Sequence, residues 1–439
     1  MSTPKLSAHF ESRVPSDVRL AQMKYDERKD KPEKVINVSI GNVSLPTNPA
    51  MKNRMFNLDA PDSPFANGTV RYTATGGFPE TKEAFINILD AQGFDTSKLH
   101  VTVTDGGSTA MELLIVGVSG PAGTDEKPLM MIDPAYTNYI SFAERLGRKT
   151  VTVKRELGED GKFNLPAMEE IEAVIKEHNP GALLVIPYDN PTGQLYTPKM
   201  MKDLAELCVK YNLWMVSDEA YRELYYMDDA ELVSIWGLTD DVVPGIEGRR
   251  ISIETASKVW NACGLRIGAI ITDSPEFNNR GQAEYTANLC ANAIGQYIFG
   301  ALAHESKEQI LSWCKEQREY YGGTIKEVSA RFNELEPDLI VSSPDASIYS
   351  VIDVRKVVKP GFDSIDFALY CAGEGSVEFD GVQTTVLCAP MKGFYDIPAG
   401  EKNPGSTQFR ISYVESPEIM MTVPDVFVEL LKGYEAKRA

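Results

Sequence analysis

Residues 181–221 read GALLVIPYDNPTGQLYTPKMMKDLAELCVKYNLWMVSDEAY. An apolar run from Ala182 to Pro187 stops at Asp189-Asn190-Pro191. An amphipathic stretch from Lys199 to Lys210 follows, and a second apolar run, Trp214 to Ser217, stops at Asp218-Glu219. Two short apolar runs, bounded by turn residues and separated by a helical pattern, read as a strand–helix–strand unit with parallel strands. Moving outward, the pattern repeats. HVTVT at 100–104, LMMI at 129–132 and TVTVK at 150–154 come before it; Arg250 to Ile253 and Ile267 to Thr272 come after. Helices are expected from about Ser108, over Tyr139 to Leu146 and over Ala167 to His178. The expected class is α/β, a mostly parallel sheet with helices on both faces. In such sheets ligands gather outside the carboxyl ends of the strands, so the residues just after each strand matter most.

From Gln282 the pattern becomes helical and charged. Glu305 to Leu335 is expected as one long or one broken helix, with Gly322-Gly323 as its weak point. The remainder has shorter strands, Ser347 to Val351 and Gln408 to Tyr413, and a final helix near Val423 to Tyr434. These features divide the chain into a large domain, 50–320, and a smaller α+β domain built from 1–49 and 321–439.

The 439 residues carry 44 basic and 63 acidic side chains, a formal charge of −19. Nucleic acid is therefore not an expected partner, because phosphate binding needs a basic face. An anionic membrane surface is disfavoured for the same reason. No apolar run approaches the ~20 residues that span a bilayer, and the N-terminus has no apolar core of a secretory signal. Six scattered cysteines without a Cys-x-x-Cys pair suit a reduced, cytoplasmic protein. Four isolated histidines give no metal-ligand spacing, so no metal is expected.

Five strand ends carry chemistry. After HVTVT comes Gly106-Gly107-Ser108-Thr109, where glycines and a helix N-terminus could cradle an anion. After LMMI comes Tyr136, able to lie over a flat ring. After ALLVIP comes Asn190, held out of the helical region by Pro191. After WMVS come Asp218 and Tyr221; a strand-end carboxylate is costly to bury unless paired. After Ile251 to Ala256 come Ser257 and Lys258, then Arg266 between Gly264 and Gly268. Singly, each has an ordinary explanation: a tight turn, a rim aromatic, an Asn-Pro turn, a helix-capping acid, a solvated lysine.

Together and in this order they form one kit. The chain resembles the fold-type I pyridoxal-phosphate enzymes, specifically class I/II aminotransferases of the aspartate-aminotransferase type. The matching pieces are GGSTA at 106–110, NPTG at 190–193, DEAY at 218–221, SK at 257–258 with GLRIG at 264–268, and FRISYV at 409–414. The resemblance implies a seven-stranded, mainly parallel sheet between helices, plus the smaller α+β domain. It implies that Lys258 forms a Schiff base with the cofactor aldehyde and moves a proton on the substrate. Asp218 matches the acid that keeps the pyridine nitrogen protonated. Tyr221 and Asn190 match donors to the ring oxygen, and Asn190 also borders the substrate. Tyr136 matches the stacked aromatic. Gly107, Ser108, Thr109, Thr255, Ser257 and Arg266 match the phosphate cup, and Tyr72 the residue that reaches the neighbouring subunit's phosphate. Arg410 matches the bidentate partner of the substrate α-carboxylate, and Gly41 the glycine beside the substrate. The run after Gly41, Asn42-Val43-Ser44-Leu45-Pro46, departs from the family's acidic-Pro pair.

The implied function is amino-group exchange between an L-amino acid, aspartate or another, and a 2-oxo acid such as 2-oxoglutarate, on a homodimer. A carbon–sulfur β-lyase, or a related lyase, on the same scaffold is the alternative. A regulatory DNA-binding role is disfavoured by the lack of a basic domain. Arg71 and Arg280 are candidates for reading a second substrate carboxylate.

Overall fold

β1 (Lys34–Asn37) is followed by seven strands that form one sheet: β2 (His100–Thr104), β3 (Leu129–Asp133), β4 (Thr150–Lys154), β5 (Ala182–Val185), β6 (Trp214–Asp218), β7 (Arg250–Thr255) and β8 (Gly268–Thr272). The computed structural model describes residues 4–228, 230–342, 344–398 and 400–438. Strand order is β2-β8-β7-β6-β5-β3-β4. The pairs β3–β4, β3–β5, β5–β6 and β6–β7 are parallel, while β8 runs antiparallel to both β2 and β7. Every residue of β3, β5 and β8 is buried. Their continuous apolar runs, as opposed to alternating ones, are what a strand covered on both faces requires.

Between β5 and β6 the helix Pro198–Lys210 starts cleanly. Thr197 Oγ1 accepts the Met200 N–H at 3.1 Å, and proline stands in the first turn, where its missing N–H costs nothing. The helix buries Met201, Leu204, Ala205, Leu207 and Cys208 against the sheet.

The charged stretch after Gln282 contains one unbroken helix, Lys307–Leu335. Gly322 does not break it. A Cβ there would lie 3.0 Å from the Tyr226 ring, so the glycine permits close packing. A stripe of Ile310, Trp313, Cys314, Gln317, Tyr321, Ile325, Val328 and Phe332, spaced three and four residues apart, fixes its buried face.

The remaining strands are β9 (Ile340–Val341), β10 (Tyr349–Asp353), β11 (Val377–Phe379), β12 (Val382–Leu387), β13 (Ala389–Pro390) and β14 (Gln408–Ser412). They make a β13-β14-β10-β9 sheet and, with β1, a β1-β12-β11 sheet. The start of β10 departs from the expected Ser347. Ser347 has φ +59°, a left-handed conformation that no strand residue adopts, so pairing begins at Tyr349. The N-terminal segment packs on the C-terminal part of its own chain. β1 pairs in parallel with β12, and Arg28 donates to the carbonyls of Glu374 and Gly375, both at 2.9 Å.

Candidate active site

The carboxyl ends of β2, β5, β6 and β7 face the β10–β14 sheet across a cavity of about 710 Å³. Twelve of the fourteen residues expected from the sequence line it: Gly41, Gly107, Ser108, Tyr136, Asn190, Asp218, Tyr221, Thr255, Ser257, Lys258, Arg266 and Arg410. Two do not. The Thr109 hydroxyl turns back to the Asp105 carbonyl at 3.2 Å, the usual competing bond of a threonine inside a helix. Tyr72 is 80% exposed and touches no part of the cavity of its own chain. Arg71 and Arg280 are also absent from the lining; Arg280 borders a separate recess beside Trp214 and Phe277.

At one end lies an anion cradle. Gly106 opens the helix Gly106–Val118 with φ +80°, and a Cβ on it would meet the Arg266 guanidinium at 2.6 Å. Only glycine lets that arginine lie against the helix start, where free backbone N–H groups collect. Arg266 itself takes a left-handed φ of +52°, uncommon for a side-chain-bearing residue and a feature that clusters at functional sites. It donates to the Cys263 carbonyl at 2.9 Å and remains exposed. The hydroxyls of Thr255 and Ser257 are 2.7 Å apart beside it.

In the middle stands Asp218, at the end of β6. Burial pushes its carboxyl pKa up; the Tyr139 hydroxyl and the Ala220 N–H, both donating to it, work in the opposite direction. Tyr139 is a site residue that the sequence did not reveal. It lies three positions after Tyr136 on the next helix, and only the fold turns its hydroxyl onto Asp218. A carboxylate with neutral donors, and with no hydrogen-bonded cation among the described residues, suits a protonated heteroaromatic nitrogen. Lys258 Nζ donates to the Gly41 carbonyl at 2.5 Å and lies 6.0 Å from the Tyr221 ring centre.

The far end is built around Arg410 on β14, which is 5% exposed. Its Nη1 donates to Asn190 Oδ1 at 3.0 Å and its Nη2 to the Ser39 carbonyl at 2.7 Å, while Nε has no partner among the described residues. An unpaired buried guanidinium N–H is costly, and a carboxylate would satisfy it. Because Arg410 claims the Asn190 oxygen, the Asn190 amide nitrogen is left to donate elsewhere. Tyr349 and Phe394, neither found from sequence, flank Arg410 with ring centres 4.3 and 5.0 Å from its Cζ. Ser12 to Arg19 of the N-terminal segment complete the mouth.

An amine, a carboxylate awaiting a cation, an anion cradle and a buried guanidinium awaiting an anion fit pyridoxal phosphate with an amino acid beside it. Comparison with known proteins agrees. The profile of the family described as aminotransferase class I and II matches residues 33–378. The probable aspartate aminotransferase of Methanocaldococcus jannaschii is 26% identical over 82% of this chain and 85% of its own length. The probable kynurenine–oxoglutarate transaminase of Saccharomyces cerevisiae is 24% identical over 82% of this chain and 80% of its own. The aspartate aminotransferase structure from Thermus thermophilus superposes with a TM-score of 0.78 at 21% identity, covering 98% of this chain and 100% of that one, and so shares the fold. These relatives carry transaminase names, which does not favour the lyase alternative. The chain belongs to the class I and II aminotransferases and is a pyridoxal-phosphate-dependent aminotransferase of amino acids.

Proposed function

We propose that this enzyme exchanges the amino group of an L-amino acid, aspartate or another, with 2-oxoglutarate or a similar 2-oxo acid, and that the twelve lining residues do the work. The observation that carries this reading is the convergence of Lys258, Asp218, Tyr221 and Arg410 on one cavity. The names of the relatives support the substrate class.

Gly107, Ser108, Thr255, Ser257 and Arg266 would hold the cofactor phosphate, Asp218 its ring nitrogen, Tyr136 its face, and Asn190 with Tyr221 its ring oxygen. When bound, pyridoxal phosphate supplies the electron sink for charge that develops at the substrate α-carbon. Arg410 binds the α-carboxylate through the guanidinium edge that carries the unpaired Nε, which orients the α-hydrogen. Lys258 Nζ, beside the Gly41 carbonyl, takes the α-proton and returns it, acting as general base and then acid. A cation facing Asp218 favours its ionised form and offsets the burial that pushes its pKa up.

A homodimer belongs to the same reading. Met55, Phe56, Val70, Tyr72 and Leu289 are large apolar side chains left exposed, and a second copy covering them would place Tyr72 at the neighbouring phosphate cup. The six free cysteines suit the cytoplasm. Residues 50–320 would act as the cofactor-holding domain, with 1–49 and 321–439 as the smaller one; the pairing of β1 with β12 supports that grouping. Purified protein supplied with pyridoxal phosphate should be yellow and bleach when an amino donor is added. Protein that stays colourless and inactive would end the proposal, and release of pyruvate from a cysteine conjugate without an oxo-acid acceptor would revive the lyase.

A further inference from the structure

Tyr349 is 2% exposed and opens β10 opposite Ser412 of β14. Its hydroxyl oxygen lies 2.8 Å from that of Tyr221, with the two rings edge to face. It also lies so near Gly41 that a Cβ there would approach it to 2.2 Å, and the same Cβ would be 3.3 Å from Lys258 Nζ. Glycine at 41 thus makes room for the Tyr349 hydroxyl beside the lysine. The Tyr349 ring covers one face of the Arg410 guanidinium. One phenol therefore touches the groups assigned to the ring oxygen and to the substrate carboxylate, and shares Gly41 as a neighbour with the lysine assigned to the proton.

We propose that Tyr349 is a positioning residue: its hydroxyl donates to Tyr221 Oη, which aims the Tyr221 proton at the cofactor ring oxygen, while its ring holds Arg410 in place. Each phenol has one proton, and a single proton spans the 2.8 Å contact. If Tyr221 donated to Tyr349, it would have nothing to offer the cofactor. A phenolate oxygen on the cofactor can only accept, so with the cofactor bound the Tyr221 proton goes to it and the proton across the 2.8 Å contact is that of Tyr349. Tyr349 faces Lys258, Arg410, Tyr221, Asp218, Tyr136 and, from the long helix, Tyr321. Burial works to raise its pKa, but Lys258, Arg410 and the hydrogen bond with Tyr221 together hold it below the ordinary tyrosine value. Burial and the neighbouring Tyr349 push Tyr221 well above that value. The inference rests on the roles proposed for Tyr221 and Lys258.

The test is Tyr349→Phe, which keeps the ring and removes the hydroxyl. In the holoenzyme, the pH midpoint of the cofactor absorbance change should rise by about one unit, the scale of one hydrogen bond to a charged group. In the same variant kcat should fall about tenfold while KM for the amino donor moves less than about twofold. Tyr349→Leu, which also removes the ring, should add a rise in KM of about tenfold through loss of the cation–π contact. The inference is overturned if Tyr349→Phe leaves the holoenzyme midpoint in place. Failure of the underlying roles looks different: borohydride reduction would then leave no label on Lys258 of the wild type.

Discussion

The two ends of the cavity are built differently. The end proposed to hold the phosphate comes from the ends of strands in one sheet; its arginine, Arg266, is exposed and donates to a single backbone carbonyl. The carboxylate end is assembled from Ser39, Asn190, Tyr349, Phe394 and Arg410, which lie as far as 371 residues apart, and its arginine is buried between two rings. An exposed guanidinium can follow a ligand at little cost. A buried one that already spends two donors on fixed acceptors has one geometry to offer. The phosphate end is thus suited to holding a permanent group, and the carboxylate end to testing each substrate.

Substitutions should separate the two ends. Lys258→Ala stands between them and should have the largest effect, lowering kcat about 10⁴-fold or more through loss of the proton-moving amine. Borohydride reduction and peptide mapping should find the pyridoxyl label at Lys258 in the wild type; a label on another lysine would undo the site. Asp218→Asn should lower kcat about 10²- to 10³-fold, the scale of one removed electrostatic contact to a developing charge. Its visible spectrum would report whether the ring nitrogen has lost its proton.

Arg410→Lys tests the other end. KM for both the amino and the oxo acid should rise about 10- to 100-fold, the worth of charge-assisted bonds that Lys cannot make in bidentate form. Cofactor affinity, read by equilibrium titration of the apoenzyme, should not change, and a large loss there would mean the two ends are not separate. Tyr72→Phe should weaken cofactor affinity only a few-fold, as expected for one phosphate hydrogen bond. Light scattering should give twice the 48.5 kDa chain mass. A fully active monomer would remove the role proposed for Tyr72.

The smallest expected effect concerns a bolt between the ends. Asp133 closes β3 just before Tyr136, and its carboxylate accepts the N–H of Asp396, two residues past Phe394, at 2.6 Å. Burial, opposed by that N–H, pushes its pKa from 3.8 up to about 7. Between these values the folded chain holds a proton that the unfolded chain has lost. Stability due to this group should therefore fall as pH rises from about 4 to 7, by at most about 1.4 kcal/mol per pH unit, and level off above. Asp133→Asn should flatten that slope in urea unfolding measured across the window. An unchanged slope would show that Asp133 is ionised throughout.

The phosphate end was readable in the chain because each strand and the groups that follow it are contiguous. GGSTA, DEAY and SK with GLRIG each carry their own strand end, turn and chemistry. Tyr139, Tyr349 and Phe394 were not readable. An aromatic in an apolar stretch looks the same whether it fills a core or lines a site, and the left-handed Ser347 moved the start of β10 away from its expected place. Thr109 shows the converse: it belongs to a matching motif, but the helix turns its hydroxyl onto its own backbone.

The sequence alone determined the α/β class, the order of the sheet strands, and the lysine, acid and arginines that the fold brings to one cavity, because short apolar runs and turn residues encode those locally. Tertiary structure alone decided the antiparallel β8, the continuity of the helix through Gly322, and the placing of Tyr349 between Gly41, Tyr221 and Arg410. Those depend on contacts between residues far apart in the chain, where the spacing of side chains along one segment carries no information about the partner.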